Sequence, residues 1–153
     1  MPQVQELRLG EGPGSEMIRT LGLLALVVLV LGCAPARESA RVVRVIDGDT
    51  IVVLLDGEEE RVRYIGIDTP ELGTMCGVKA RLVNSLLVSG KVVQLEKDVS
   101  ERDRYGRLLR YVYADGVMVN ARLVEEGHAK VATYPPDVKY RGLFLRLLVV
   151  GSC

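Results

Sequence analysis

The most constraining feature of this chain is a series of short β-branched runs cut by Asp-Gly turns. The run from Arg41 to Ile46 (RVVRVI) ends in Asp47-Gly48-Asp49, and the run from Thr50 to Leu55 (TIVVLL) ends in Asp56-Gly57. A third, from Arg107 to Tyr113, is followed by Asp115-Gly116. Branched side chains pack well on a pleated surface, whereas Asp and Gly tolerate the backbone angles that reverse a chain. A further strand is predicted over Glu60 to Ile67, with Val62 and Tyr64 on one face and Arg61, Arg63, Ile65 and Ile67 on the other. Three sequential strands with turns this tight form a meander.

The period then changes. From Gly77 to Val88, apolar residues fall at Val78, Leu82, Val83, Leu86 and Leu87, which is helical spacing, and Gly90 stands where the helix must end. Lys91 to Leu95 alternates again, and Met118 to Glu126 reads as a short amphipathic helix closed by Gly127. The order βββ-α-ββ-α predicts a mainly β, α+β domain: a five-stranded Greek-key barrel of OB type with two to three helices. The whole chain has 153 residues, room for one such domain.

The N-terminal part reads differently. Leu21 to Gly32 (LGLLALVVLVLG) carries no charge and follows Arg19, which fits the apolar region of a signal peptide and is too short to span a bilayer as a helix. Val30-Leu31-Gly32-Cys33 resembles a bacterial lipobox, so residues 1–33 are expected to be a lipoprotein-type signal with Cys33 lipidated and the protein exported, to the membrane or beyond it. Glu6, Glu11 and Glu16 are out of place in a signal, and Met17 is the expected true start. Residues 34–40 are expected to be a linker, 41–140 the folded domain, and 141–153 an atypical tail. From Leu143 to Val150 only Arg146 is charged, so the tail has almost no polar face. A truncated or frame-shifted remnant is expected there, against a short helix docked in the core or a partner or membrane contact.

Composition excludes several functions. Twenty basic and twenty acidic residues give a formal net charge of zero, so the chain is no generically basic nucleic-acid binder. One His rules against a multi-His metal site, and three dispersed Cys without a CxxC rule out a zinc knuckle or thioredoxin motif. Pairing of Cys76 with Cys153 stays open, with free thiols slightly favoured. What remains is a set of charged residues at strand ends and turns: Asp49, Arg63, Asp68, Glu71 and Arg107. Carboxylates supply hard oxygen ligands for Ca²⁺ or Mg²⁺, and arginines supply planar bidentate donors for a phosphate. Together they are the equipment for phosphodiester hydrolysis.

Four motifs in order, IDGDT (46–50), RYIGIDTPE (63–71), DRYGR (103–107) and YVYADGVMVNARLVEEGHAKV (111–131), resemble the thermonuclease family typified by staphylococcal nuclease. The resemblance spans about residues 41 to 131. It implies an OB barrel with helices and a Ca²⁺-dependent endonuclease that cleaves DNA and RNA at the 5′ P–O bond and leaves 3′-phosphates. It implies that Asp49 and Asp68 are calcium carboxylates and that Thr69 lends a backbone carbonyl. By the same resemblance Glu71 is the general base, Arg63 and Arg107 hold the phosphate, and Tyr105 lies at the nucleotide-binding face. The segment after Ala129-Lys-Val-Ala132 departs from the family pattern, with Thr133 before Tyr134, the second candidate for substrate contact. Single-stranded or locally unpaired DNA and RNA, a membrane tether through Cys33 and a monomeric state complete the expectation. The competing readings are a non-catalytic OB module that binds nucleic acid or protein, and an inactive relic.

Overall fold

The structure, a computed structural model, describes residues 37–149. Eight strands and three helices occur among them: β1 (Arg37–Val45), β2 (Thr50–Leu55), β3 (Glu58–Tyr64), β4 (Ile67–Asp68), α1 (Met75–Val88), β5 (Val92–Glu96), β6 (Leu108–Ala114), β7 (Val117–Met118), α2 (Val119–Glu125), β8 (Lys130–Val131) and α3 (Arg141–Leu147). The main sheet runs β3-β2-β1-β5-β6-β7, and a parallel β3–β6 pairing returns it upon itself. The result is a closed five-stranded barrel of OB type with three helices, as the element order predicts. Closure removes the exposed sheet edges that an open β-sheet has to protect.

β1 makes closure possible. Its first half pairs with β5, from Arg37↔Glu96 to Arg41↔Val92, and its second half with β2, from Arg41↔Leu54 to Val45↔Ile51. A register shift between Val42 and Arg44 bends the strand between these two partners. The expected linker at 34–40 is therefore corrected: Arg37 to Ala40 is strand, and Ala40 is buried. β3 is shorter than its predicted span. It stops at Tyr64 because Gly66 turns with φ +79°, and Ile67 and Asp68 pair instead with Val131 and Lys130. The expected leader and Cys33 lie outside the described residues.

Inside the barrel Ile51, Val53, Val62, Tyr64, Val93, Leu95 and Val112 are almost wholly excluded from solvent. The helices cover its ends. Asn120 of α2 is buried and accepts from the Val112 amide while donating to the Ile65 carbonyl, which stitches the helix to β6 and to the turn after β3. Residues 141–147, set apart in the sequence as part of an atypical tail, form α3. Phe144 is fully buried, with Leu143 and Leu147 packed partly against the core. Its ring fills the space beside Gly66, where an added Cβ would stand 2.5 Å from Phe144 Cε2.

Charges are buried where they are paired. Glu96, at the end of β5, is only 1% exposed and receives Arg37, Lys139 and the Tyr140 hydroxyl at 3.0, 2.6 and 2.7 Å. Burial alone pushes this carboxyl up, but those donors, with Tyr113, outweigh it and hold it at about 2. Arg110, 2% exposed, is neutralised by Glu38 and Glu101 and donates to the carbonyls of Glu101 and Leu109.

Two outcomes follow from this packing. Phe144→Ala is expected to lower stability by about 3–5 kcal/mol in urea denaturation, because the helix anchor and the filler at Gly66 are lost together. Glu96 has a folded pKa below its unfolded value, so its contribution is full above about pH 5 and lost as pH falls toward 2. Glu96→Gln is expected to be about 2 kcal/mol weaker at neutral pH and to show a flatter stability profile than the parent over pH 5 to 2.

Candidate functional site

The IDGDT turn, the segment from Asp68 to Glu71 and the DRYGR turn meet at one end of the barrel. Two adjoining cavities open there. The smaller, of about 380 Å³, is lined by Asp47, Asp49, Arg63, Asp68, Glu71 and Arg107, with Thr50, Thr69, Pro70 and Leu72. All five charged residues singled out in the sequence thus share one chamber, and Thr69 joins them. The larger cavity, of about 630 Å³, shares the two arginines as its near wall and reaches Tyr105, Tyr134 and Pro135-Pro136.

Arg63 is the junction of the chamber. One guanidinium nitrogen donates to the carbonyls of Tyr64 and Ile67 at 3.0 and 2.9 Å and lies 3.2 Å from Asp49; the other donates to Asp68 at 2.9 Å. The planar fork therefore fixes the Gly66 turn and both carboxylates at once. Asp49 is buried, and its Oδ2 accepts from the amide and hydroxyl of Thr69 at 2.8 and 2.9 Å. Burial pushes the Asp49 carboxyl up to about 6, even against the pull of Arg63 and the Thr69 hydrogen bonds, and nearby Asp47 adds to the rise.

This environment has room for more positive charge. A carboxylate whose burial is not offset by its arginine gains from a second cation, and Asp68 reaches the same guanidinium from the other side. Among the described residues no three His, Cys, Asp or Glu side chains cluster closely enough to enclose a metal by themselves. Two carboxylates completed by carbonyl oxygens and water fit a hard, oxygen-seeking divalent ion and suit soft or imidazole-seeking metals poorly.

Arg107 is aimed by Asp103. Its Nε donates to Asp103 Oδ2 at 2.7 Å, and its backbone amide to Oδ1 at 3.0 Å. Asp103 also accepts from the Tyr105 amide, so one carboxylate shapes the whole DRYGR turn. Tyr105 is 68% exposed, with Arg104 and Arg107 over its ring at 4.8 and 5.4 Å. Tyr134 is 75% exposed on the wall of the same cavity. The loop that carries it is tied down by Asp137, which accepts from the amides of Val99 and Ser100.

The supporting shell was not assigned by the sequence reading. The Tyr64 hydroxyl donates to Asn84, and Asn84 donates to the Asp47 carbonyl, which ties α1 to the turn that carries Asp49. Thr74, the N-cap of α1, donates through both its amide and its hydroxyl to the Glu71 carbonyl. Gly77 lies so close to this segment that an added Cβ would stand 2.0 Å from Glu71 O, and one at Gly48 would stand 2.7 Å from Ala80 Cβ. The pattern Gly77, Ala80, Asn84 was present in the sequence; helical apolar spacing drew attention to the opposite face. Cys76 is disulfide-bonded, contrary to the slight preference for free thiols, and both other cysteines lie outside the described residues.

The close approach at Gly77 is measurable. Gly77→Ala is expected to cost about 2 kcal/mol in urea denaturation, because the carbonyl of Glu71 must move to admit the methyl group. Gly73→Ala, where nothing stands within 4 Å, serves as the control and is expected to change stability by under about 0.5 kcal/mol.

Comparison with known proteins agrees with this arrangement. A family model described as Staphylococcal nuclease homologue matches residues 61–147, a stretch that includes α3. A protein named Thermonuclease from Staphylococcus intermedius is 44% identical over 110 residues, covering 68% of this chain and 66% of that one. Another of that name from Staphylococcus hyicus is 40% identical over 117 residues, covering 72% and 69%. Endonuclease YncB of Bacillus subtilis is 47% identical over 105 residues, covering 63% and 50%. The chain thus spans about two thirds of the two staphylococcal relatives and half of the Bacillus one. By the extent of the family match and the level of identity, the chain belongs to the staphylococcal nuclease homologue family.

Proposed function

We propose that this protein is a Ca²⁺-dependent endonuclease that hydrolyses phosphodiesters of DNA and RNA. The observation that carries this reading is the single chamber holding Asp49, Asp68, Glu71, Arg63 and Arg107 together. A module that only binds nucleic acid has no use for three carboxylates, one of them buried, beside phosphate-seeking arginines. The names of the relatives, thermonuclease and endonuclease, support the same class.

Asp49 and Asp68 would hold the cation, with Thr69 contributing its carbonyl. When bound, the cation polarises a phosphoryl oxygen and lowers the charge barrier to attack. Arg63 and Arg107 clamp the non-bridging oxygens of the scissile phosphate and offset the charge that grows on them. Glu71 orients a water and accepts its proton as the oxygen bonds to phosphorus. The bond to the 5′ oxygen breaks, Arg107 stabilises that oxygen as it leaves, the oxygen takes a proton from solvent, and a 3′-phosphate and a 5′-hydroxyl result. The cation and the arginines would supply most of the acceleration, with Glu71 mainly orienting the water. Tyr105 and Tyr134 offer stacking surfaces to the neighbouring base, which favours single-stranded or locally unpaired substrate. The same reading makes the protein an exported monomer, tethered through a lipidated Cys33.

Cleavage of single-stranded DNA is expected with Ca²⁺, and its loss is expected with EGTA and in Arg63→Ala/Glu71→Ala. A folded protein that cleaves equally in EGTA would remove the metal from the mechanism, and a folded protein that never cleaves would leave a binding module. Arg107→Lys is expected to lower kcat about 100-fold, since a point charge cannot reproduce a bidentate clamp. Steady-state kinetics on an oligonucleotide measures it.

A further inference from the structure

The outward face of α1 is apolar. Met75, Val78, Leu82 and Leu86 are 77, 43, 59 and 80% exposed, and Leu72, 41% exposed, precedes them. Their spacing of three and four residues lines them along one side of the helix. The inward face carries Gly77, Ala80, Asn84 and Val88, the residues that let α1 approach the site. A helix of 14 residues is about 21 Å long, so the stripe is a continuous surface and not a scatter of single side chains.

Charge and chemistry select the occupant. From Leu72 to Leu95 the chain has no acidic residue, but it has Lys79, Arg81 and Lys91. Lys91 pairs with Asp115, whereas among the described residues Lys79 and Arg81 form no ion pair. A second copy of α1 would bring the same cations against the same stripe and be repelled. Nucleic acid would call for aromatic stacking, and the stripe has no aromatic residue. Aliphatic side chains flanked by Lys and Arg fit an interfacial segment on anionic lipid.

Chain length points the same way. Three residues separate Cys33 from Arg37 at the start of β1, a Cα-to-Cα span of about 14 Å at full extension. A lipidated Cys33 would therefore keep the barrel at the membrane surface. Such a tether holds the barrel near lipid but leaves its orientation free, and a docked face would fix it.

We propose that the outward face of α1 docks on an anionic lipid surface and orients the barrel there. The nearness of that surface rests on the tethered reading of Cys33, while the face itself can be tested without the anchor. Residues 34–153 suit the test, because among the described residues the buried core runs from Ala40 to Phe144 and the chain from Ala36 onward is a compact unit of its own.

This domain, with a cooperative melt as its check of folding, is floated with phosphatidylcholine vesicles with and without phosphatidylglycerol. Binding to the anionic vesicles alone is expected. Leu82→Glu/Leu86→Glu is expected to weaken it at least about tenfold, and Lys79→Gln/Arg81→Gln about fivefold for each cation removed. Solution cleavage of an oligonucleotide is expected to be unchanged in both variants, which separates failure of docking from failure of the nuclease reading. Absence of binding by the folded domain, equal binding by the Glu variant, or lipid-free self-association abolished by Leu86→Glu would each overturn the proposal. Mass spectrometry of the mature full chain tests the Cys33 anchor separately.

Discussion

The guanidinium of Arg63 is the interaction on which the site depends. It ends β3, holds the carbonyls of Tyr64 and Ile67 across the Gly66 turn, and faces Asp49 and Asp68. A lysine in its place could neutralise one carboxylate but could not span two carbonyls and two carboxylates from one planar group. Structure and chemistry are joined here. The group proposed to meet a phosphate also holds together the carboxylates proposed to meet a cation. The incoming phosphate would compete for donors that Asp49 and Asp68 now use, and a divalent cation would replace the positive charge withdrawn from them.

The helix behind this junction shows what the sequence made legible and what it did not. The turns were readable because their chemistry is local: Asp-Gly before Asp49, Asp-Thr-Pro before Glu71, and Asp103 four residues before Arg107. Asp47 and Asp103 accept from backbone amides within a few residues, so in those two turns the motif and its geometry are nearly one fact. The orientation of α1 was not readable in the same way. Periodicity marked Val78, Leu82 and Leu86, yet the tight face carries Gly77, Ala80 and Asn84. Apolar spacing reports a helix, whereas contact with backbone at Glu71 selects for the absence of a side chain. The start of β1 was missed for a related reason. Arg37 to Ala40 is polar and short, and only pairing with distant β5 makes it strand. Two-residue strands such as β4 and β8 are similarly invisible, since they exist only through each other.

Net charge zero concealed a deliberate distribution. Glu96 gathers Arg37, Lys139 and two tyrosines into one buried cluster that fastens β1, β5, β6 and the approach to α3. Arg110 does the same with Glu38 and Glu101 beneath the DRYGR turn. One cluster sets two cations on one carboxylate and the other two carboxylates on one cation, so that the two together balance. Asp49 differs from Glu96. Its burial outweighs its partners, and the direction of its shift marks the place where the fold leaves electrostatic demand unmet. A site that binds a cation reversibly requires such a deficit, because a fully neutralised carboxylate would gain nothing from the ion.

The two cavities divide the remaining work. The arginines line both, while Asp49, Asp68 and Glu71 line only the smaller and Tyr105 and Tyr134 only the larger. Both tyrosines are largely exposed, so on the proposed reading base contact could vary without moving the reacting groups. Asp103 sits at the hinge of this division. It aims Arg107 toward the chamber through the side chain and shapes the Tyr105 turn through the backbone. On the proposed reading, rate would depend on Asp49, Glu71 and Arg63, which are held in place by the contacts of Gly77, Thr74 and Asn84. Affinity would depend on the exposed rings, whose loss would leave those three groups in place.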